Sequence, residues 1–156
     1  MAKAPEDTKP ESWQRFFAAS ANNQAWDLAE LPRDQVDKLA LLNAAHASAW
    51  HWQVAGNELN HKRALMLLAQ AHAVVGLGQS AFLYAEQMRA YFLAEPSTAD
   101  WEVALTHAIH ANAAHAAGKP EQHKSSYALA QSATAAIVDP EDKAIVVRLF
   151  EQVPRP

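Results

Sequence analysis

The sequence predicts an all-α protein, and three observations carry that prediction. Half of the residues are apolar with alanine conspicuous among them, and only 4 of the 156 are glycine; alanine loses least on entering a helix and glycine most. Apolar residues recur at intervals of three and four between Pro- or Gly-containing breaks. Nowhere does an apolar–polar alternation run long enough to read as a strand. About seven antiparallel helices are expected, in one domain over residues 12–156 behind a polar, proline-bearing tail at 1–11.

The first helix is expected to open at Ser12 as its cap and to carry Trp13, Phe16, Phe17 and then Trp26 and Leu28. Leu31-Pro32 stops it and starts the second, since proline is tolerated in a helix's first turn but not inside one. That second helix, from about Pro32 to Ala55, bears Val36, Leu39 and Leu42 and ends at Gly56, which is expected to take the left-handed conformation. Its last part, Asn43–Gly56, puts two tryptophans and two histidines among alanines, so bulky groups fall on several faces. A helix of that kind suits a central position with neighbours all round. His46 and Trp50 lie one turn apart on a single face, the place to look for a pocket.

Asn57 or Asn60 caps a third helix with the stripe Leu65, Leu68, His72, Val75, closed by Gly76 and Gly78. A fourth runs from about Gln79 to Leu93 until Glu95-Pro96 breaks it. Ser97 with Asp100 three residues on reads as a capping box for a fifth helix. That helix carries Trp101, Leu105, Ala108, Asn112 and His115 and stops at Gly118. Pro120 sits just inside a sixth helix, with Tyr127, Ala130 and Ile137. Asp139-Pro-Glu-Asp142 is the strongest start signal: a capping acid, proline at the first position, and carboxylates at the positive end of the helix dipole. It opens a seventh helix in which Ile145, Val146, Leu149 and Phe150 have core spacing.

A shift of 43 residues lays Ala71-His72 on Ala114-His115 and Tyr84-Ala85 on Tyr127-Ala128. The third and fourth helices thus look like the fifth and sixth. At these residues, over roughly Asn57 to Ile137, the chain resembles the tetratricopeptide-repeat superfamily. Ala69 and His72 precede Gly76 by seven and four, Ala111 precedes Gly118 by seven, and Ala81 with Tyr84 or Ala85 approximates the motif's second helix. The first-helix tryptophan of the motif is missing, Ala114 stands where a large residue belongs, and the period is longer than the family's usual 34. The run Ala-His-Ala-Ser-Ala-Trp-His-Trp at 45–52, with Asp139-Pro-Glu-Asp, also looks like a family of uncharacterised bacterial proteins of this type, which implies no activity. What the resemblance implies is stacked hairpins capped by the last helix, and a concave face that binds a protein or peptide partner. On that implication Arg63, His107 and His110, which lie off the apolar stripes, become groove residues.

Composition narrows the chemistry. With no cysteine there is no disulfide, thiolate nucleophile or iron–sulfur site. A net charge of −4 with scattered Lys and Arg leaves no basic stripe for nucleic acid. The N-terminal stretch has no apolar core of the signal-peptide kind and no run is long enough to span a bilayer, so a soluble, cytoplasmic protein is expected. Eight histidines invite a metal site. No His-x-x-x-His occurs, however: His107 and His110 are three apart, His46 and His51 five, and Glu58-Leu-Asn-His61 stands alone where a di-iron bundle needs two such motifs. No metal and no cofactor is expected.

His72 and His115 read as core histidines needing one hydrogen-bond partner each. Asn112, on an apolar stripe, must be satisfied by a neighbouring helix or by a ligand. No phosphate loop or serine elbow is present, which points away from an enzyme. The alternative to an interaction module is a small-molecule or metal-binding bundle, or an enzyme, with a pocket of His46, Trp50 and His107. A homo-oligomer joined through exposed aromatic faces is a third possibility.

Overall fold

The computed structural model describes residues 3–156 and is helical throughout, with no strand among the described residues. Its seven helices are α1 (Pro10–Ala29), α2 (Lys38–Ala55), α3 (Glu58–Val75), α4 (Gly78–Phe92), α5 (Asp100–Ala116), α6 (Pro120–Ala136) and α7 (Pro140–Phe150). Short connections fold α1–α2, α3–α4 and α5–α6 into hairpins. The odd-numbered helices pack on one another in the order α1, α3, α5, α7, and each even-numbered helix sits between its hairpin partner and the next odd one. Two layers result, an inner one of α1, α3, α5 and α7 and an outer one of α2, α4 and α6.

The starts and stops follow local chemistry. Asn57 and Asn60 form a reciprocal capping box at α3. Asp139 accepts from the backbone N–H groups of Glu141 and Asp142 at α7, as its sequence requires. Gly76 and Gly118 have φ of +88° and +67°, the left-handed turns that end α3 and α5 at no Cβ cost.

Several expected boundaries shift for identifiable reasons. Helix α1 begins at Pro10 rather than Ser12, whose hydroxyl donates instead to Asp7. Pro32 does not open α2; residues from Leu31 form a turn in which the Gln35 N–H reaches the Pro32 carbonyl, and Asp37 caps the helix. Gly56 is extended (φ −94°) rather than left-handed, and its lack of a side chain matters because a Cβ there would lie 2.6 Å from the Trp52 carbonyl oxygen. Gly78 starts α4 instead of closing α3. Ser97 does not cap α5, because both its N–H and its hydroxyl are spent on Glu95.

The centre is also not where the aromatic stretch suggested. Helix α2 packs only on α1 and α3, and Leu39, Trp50 and Val54 on its outer face are exposed, Trp50 by 66%. The central element is α5, which touches α3, α4, α6 and α7 and is buried without interruption from Ala104 to Ala114. Its sequence carries no charged residue between Val103 and Ala117, the mark of a helix with no solvated face. Around it gather Met66, Ala69, Ala85, Met88, Phe92 and Val146, while Leu41, Ala45, Leu67 and Ala71 form a second cluster between α2 and α3. Ala69 and Ala111 are fully buried, so the small side chains let inner helices approach closely.

Candidate functional site

The inner layer encloses a groove of about 370 Å³ into which α1, α3, α5 and α7 all project. Its apolar walls come from Trp26, Met66, Trp101, Leu105, Ile145 and Leu149, and its polar groups are Asn22 and two Arg–Glu pairs. Arg63 on α3 donates from Nε to Oε1 of Glu102 on α5 at 2.7 Å, with its guanidinium carbon 5.7 Å from the centre of the Trp101 ring. Arg148 on α7 faces Glu30, just past α1, with Nε 3.8 Å from Oε2. The Gln152 side-chain amide donates to the Glu30 backbone carbonyl at 2.8 Å, so the segments that follow α7 and α1 are tied together beside the groove.

The two pairs differ in kind. The Glu102 side chain is only 6% exposed, whereas that of Arg63 is 44% exposed. A buried carboxylate depends on its one cation, and that cation is held over the groove by an acid and an aromatic face. Neither guanidinium has a protein acceptor on its terminal nitrogens among the described residues. Two planar donor edges therefore border an apolar cleft.

Of the residues expected to form a site, Arg63 alone lines this groove. His46, Trp50 and His107 do not converge. His46 is exposed on α2 and meets His72 with 3.0 Å between the two Nε2 atoms, while Tyr84 packs edge-on against His72. Trp50 faces solvent. His107 and His110 are buried rather than exposed in a groove, because α5 has no free face. Asn112 is buried, and its amide donates to Gln70 Oε1 at 2.9 Å, tying α5 to α3. His115 is exposed, not core, and rests edge-on against His123. Among the described residues no group of three or more His, Cys, Asp or Glu side chains is placed to hold a metal ion.

A second polar cluster lies between α4, α5 and α6. His110 contacts Ser126 Oγ through Nδ1 at 2.7 Å and Glu86 Oε1 through Nε2 at 2.5 Å. Arg89 and His107 complete it, and both the Arg89 Nε and the His107 Nδ1 are buried without a partner. Glu86, Arg89 and Ser126 belong to no local motif; only the fold brings them to His110, and pattern reading had no signal for them. Likewise Glu102 reads in sequence as an ordinary first-turn acid.

Burial holds three imidazoles below their ordinary value. Desolvation lowers His72, assisted by His46; desolvation lowers His107, assisted by Arg89 and His110; and desolvation lowers His110 against the opposing pull of Glu86. Each binds its proton less well in the folded chain than at the ordinary 6.5. Below that pH the unfolded chain takes up more protons, so stability is present above about 6.5 and is lost on acidification through and below it. Thermal melts between pH 7.5 and 5.5 should show Tm falling as pH falls, with a shallower slope in His72→Gln. A flat or opposite slope would remove this account.

Compared with protein families, curated proteins and solved structures, the chain matches none of them. The groove and the buried cluster therefore stand on their own geometry. No helix among the described residues is long and apolar enough to cross a membrane.

Proposed function

We propose that the chain is a binding module of the tetratricopeptide-like, stacked-hairpin kind, and that its inner groove takes a short protein segment presenting a carboxylate beside a bulky apolar side chain. The observation that carries this reading is the pairing of the apolar cleft with the uncommitted terminal nitrogens of Arg63 and Arg148. A guanidinium edge matches a carboxylate bidentately, and the tryptophan and leucine walls match an aromatic or aliphatic side chain. About 370 Å³ is at the small end of ligand pockets, enough for a chain end but not for a docked helix. A segment's C-terminus, with its carboxylate next to its last side chain, has the required chemistry. The reading includes a cytoplasmic setting, supported only by the cysteine-free composition.

Trp26 and Trp101 in the walls give the test its signal. Titrating short acetylated peptides ending in Leu or Phe, as free acid and as amide, should quench or shift tryptophan fluorescence. The amide should bind roughly tenfold or more weakly, since a charge-assisted hydrogen bond contributes about 1.5–3 kcal/mol. Arg148→Ala, at an exposed position, should erase the difference. Equal affinity for acid and amide, or no response to either, would end the proposal.

A further inference from the structure

The cluster around His110 lies on the other side of α5 from the groove, and its hydrogen bonds have a fixed direction. The Glu86 side chain is half exposed, and as a carboxylate it only accepts, so His110 Nε2 must carry the proton in that bond. In the neutral ring, Nδ1 is then the acceptor. Ser126 Oγ, 2.7 Å away, must donate to it. A serine hydroxyl is thus aimed at an imidazole lone pair whose tautomer is set by a carboxylate, the arrangement by which a base activates a hydroxyl nucleophile.

Two further observations distinguish this from a merely satisfied core polar group. Ser126, itself 2% exposed, forms part of the floor of a surface cleft of about 290 Å³ lined with Arg89, His110, Glu121, Gln122 and Ser125. The cleft is also lined by a cation, Arg89, whose side chain is partly exposed and whose Nη1 lies 3.8 Å from Glu86, beyond hydrogen-bond distance. The neutral state that a base requires is favoured by the desolvation of the imidazole, with Arg89 acting in the same direction and Glu86 against it. His107 and Lys119, the latter over the Phe82 ring that packs on His110, are the other titratable neighbours.

We propose that Ser126 is a nucleophilic serine, with His110 as its base and Glu86 as a positioning residue, and that it cleaves small carboxylic esters. In the first half-reaction the Oγ–H proton passes to His110 Nδ1 as Oγ bonds to the carbonyl carbon, and Arg89 faces the resulting oxyanion. Collapse breaks the carbon–oxygen bond to the alcohol, which leaves with the proton from His110. Water then adds to the acyl-serine through the same base, releasing the carboxylic acid and restoring Ser126. No other reactant is required.

The test uses the full chain with a fluorophosphonate probe, read by intact mass and peptide mapping, and with p-nitrophenyl acetate for turnover. One adduct on Ser126 is expected, absent in Ser126→Ala, together with ester turnover that the same substitution abolishes. Glu86→Gln, an exposed change that leaves packing alone, should slow labelling at least tenfold, on the order of what a positioned base contributes. It should also displace the pH profile of labelling, which rises as His110 loses its proton; a purely structural role would not move that profile. An unlabelled wild-type chain, an adduct that persists in Ser126→Ala, or labelling indifferent to Glu86→Gln would each overturn the proposal.

Discussion

Replacing Gly78 by alanine is expected to destabilise the fold by about 3 kcal/mol, at the upper end of what overpacking a close contact costs. The added Cβ would stand 2.1 Å from the Ala116 carbonyl oxygen and 2.6 Å from the Ala117 nitrogen. Both are backbone atoms at the C-terminal end of α5 and its cap, so no side chain can swing aside. Gly78 is itself buried at the first residue of α4, where the chain has just left the Gly76 turn. The conflict can be relieved only by moving the α4 start away from the α5 end. That would open the contacts of Ala81 and Ala85, both fully buried against α5. Thermal melts should show a fall in Tm of roughly 6–12 °C for a domain of this size. Gly76→Ala serves as the control, since there the cost is a left-handed φ with nothing within 4 Å of the new atom, and about 1 kcal/mol is expected. If the two variants melt together, close helix approach is not what holds Gly78.

The sequence shows the number of helices and most of their ends because those are decided within a few residues. Gly76, Gly118, Pro120, Asn57 and Asp139 act through their own φ or their own side chain, and each is where spacing placed it. The errors arise where two local options compete. Ser97 can cap a helix or bond Glu95, and it bonds Glu95; Pro32 can open a helix or a turn, and Asp37 is the better cap.

The sites are less legible because they are long-range. Residues 86, 110 and 126 come from three helices, as do Trp26, Arg63 and Trp101, and no spacing rule joins them. The histidine count drew attention to His46 and Trp50 on an outer helix. What it could not show is which helix would be enclosed, although the uncharged run of α5 states that plainly once it is looked for. Arg63 lies off its own stripe, which is a property of one helix; its partner Glu102 lies across a helix interface.

That partnership supports the second large effect. Arg63→Ala is expected to cost about 2–3 kcal/mol, because it leaves the buried Glu102 carboxylate without its cation. The size follows from the asymmetry of burial. An exposed ion pair contributes little, as Arg148 and Glu30 should show, with less than 1 kcal/mol lost in Arg148→Ala. Glu102, 6% exposed, cannot be rescued by solvent in the same way, and part of the Trp101 face also loses its cover. Removing the stranded charge should return much of the loss, so the double variant Arg63→Ala/Glu102→Gln is expected to be more stable than Arg63→Ala alone. A denaturant-unfolding cycle over the four proteins measures this directly. The same cycle separates two roles of Arg63. Stability recovered in the double variant without recovery of acid-over-amide discrimination would mean that the guanidinium holds the groove together through Nε and reads its ligand through the terminal nitrogens. A double variant no more stable than the single one would mean that Glu102 tolerates burial unaided, and that the Arg63–Glu102 pair does not organise the groove.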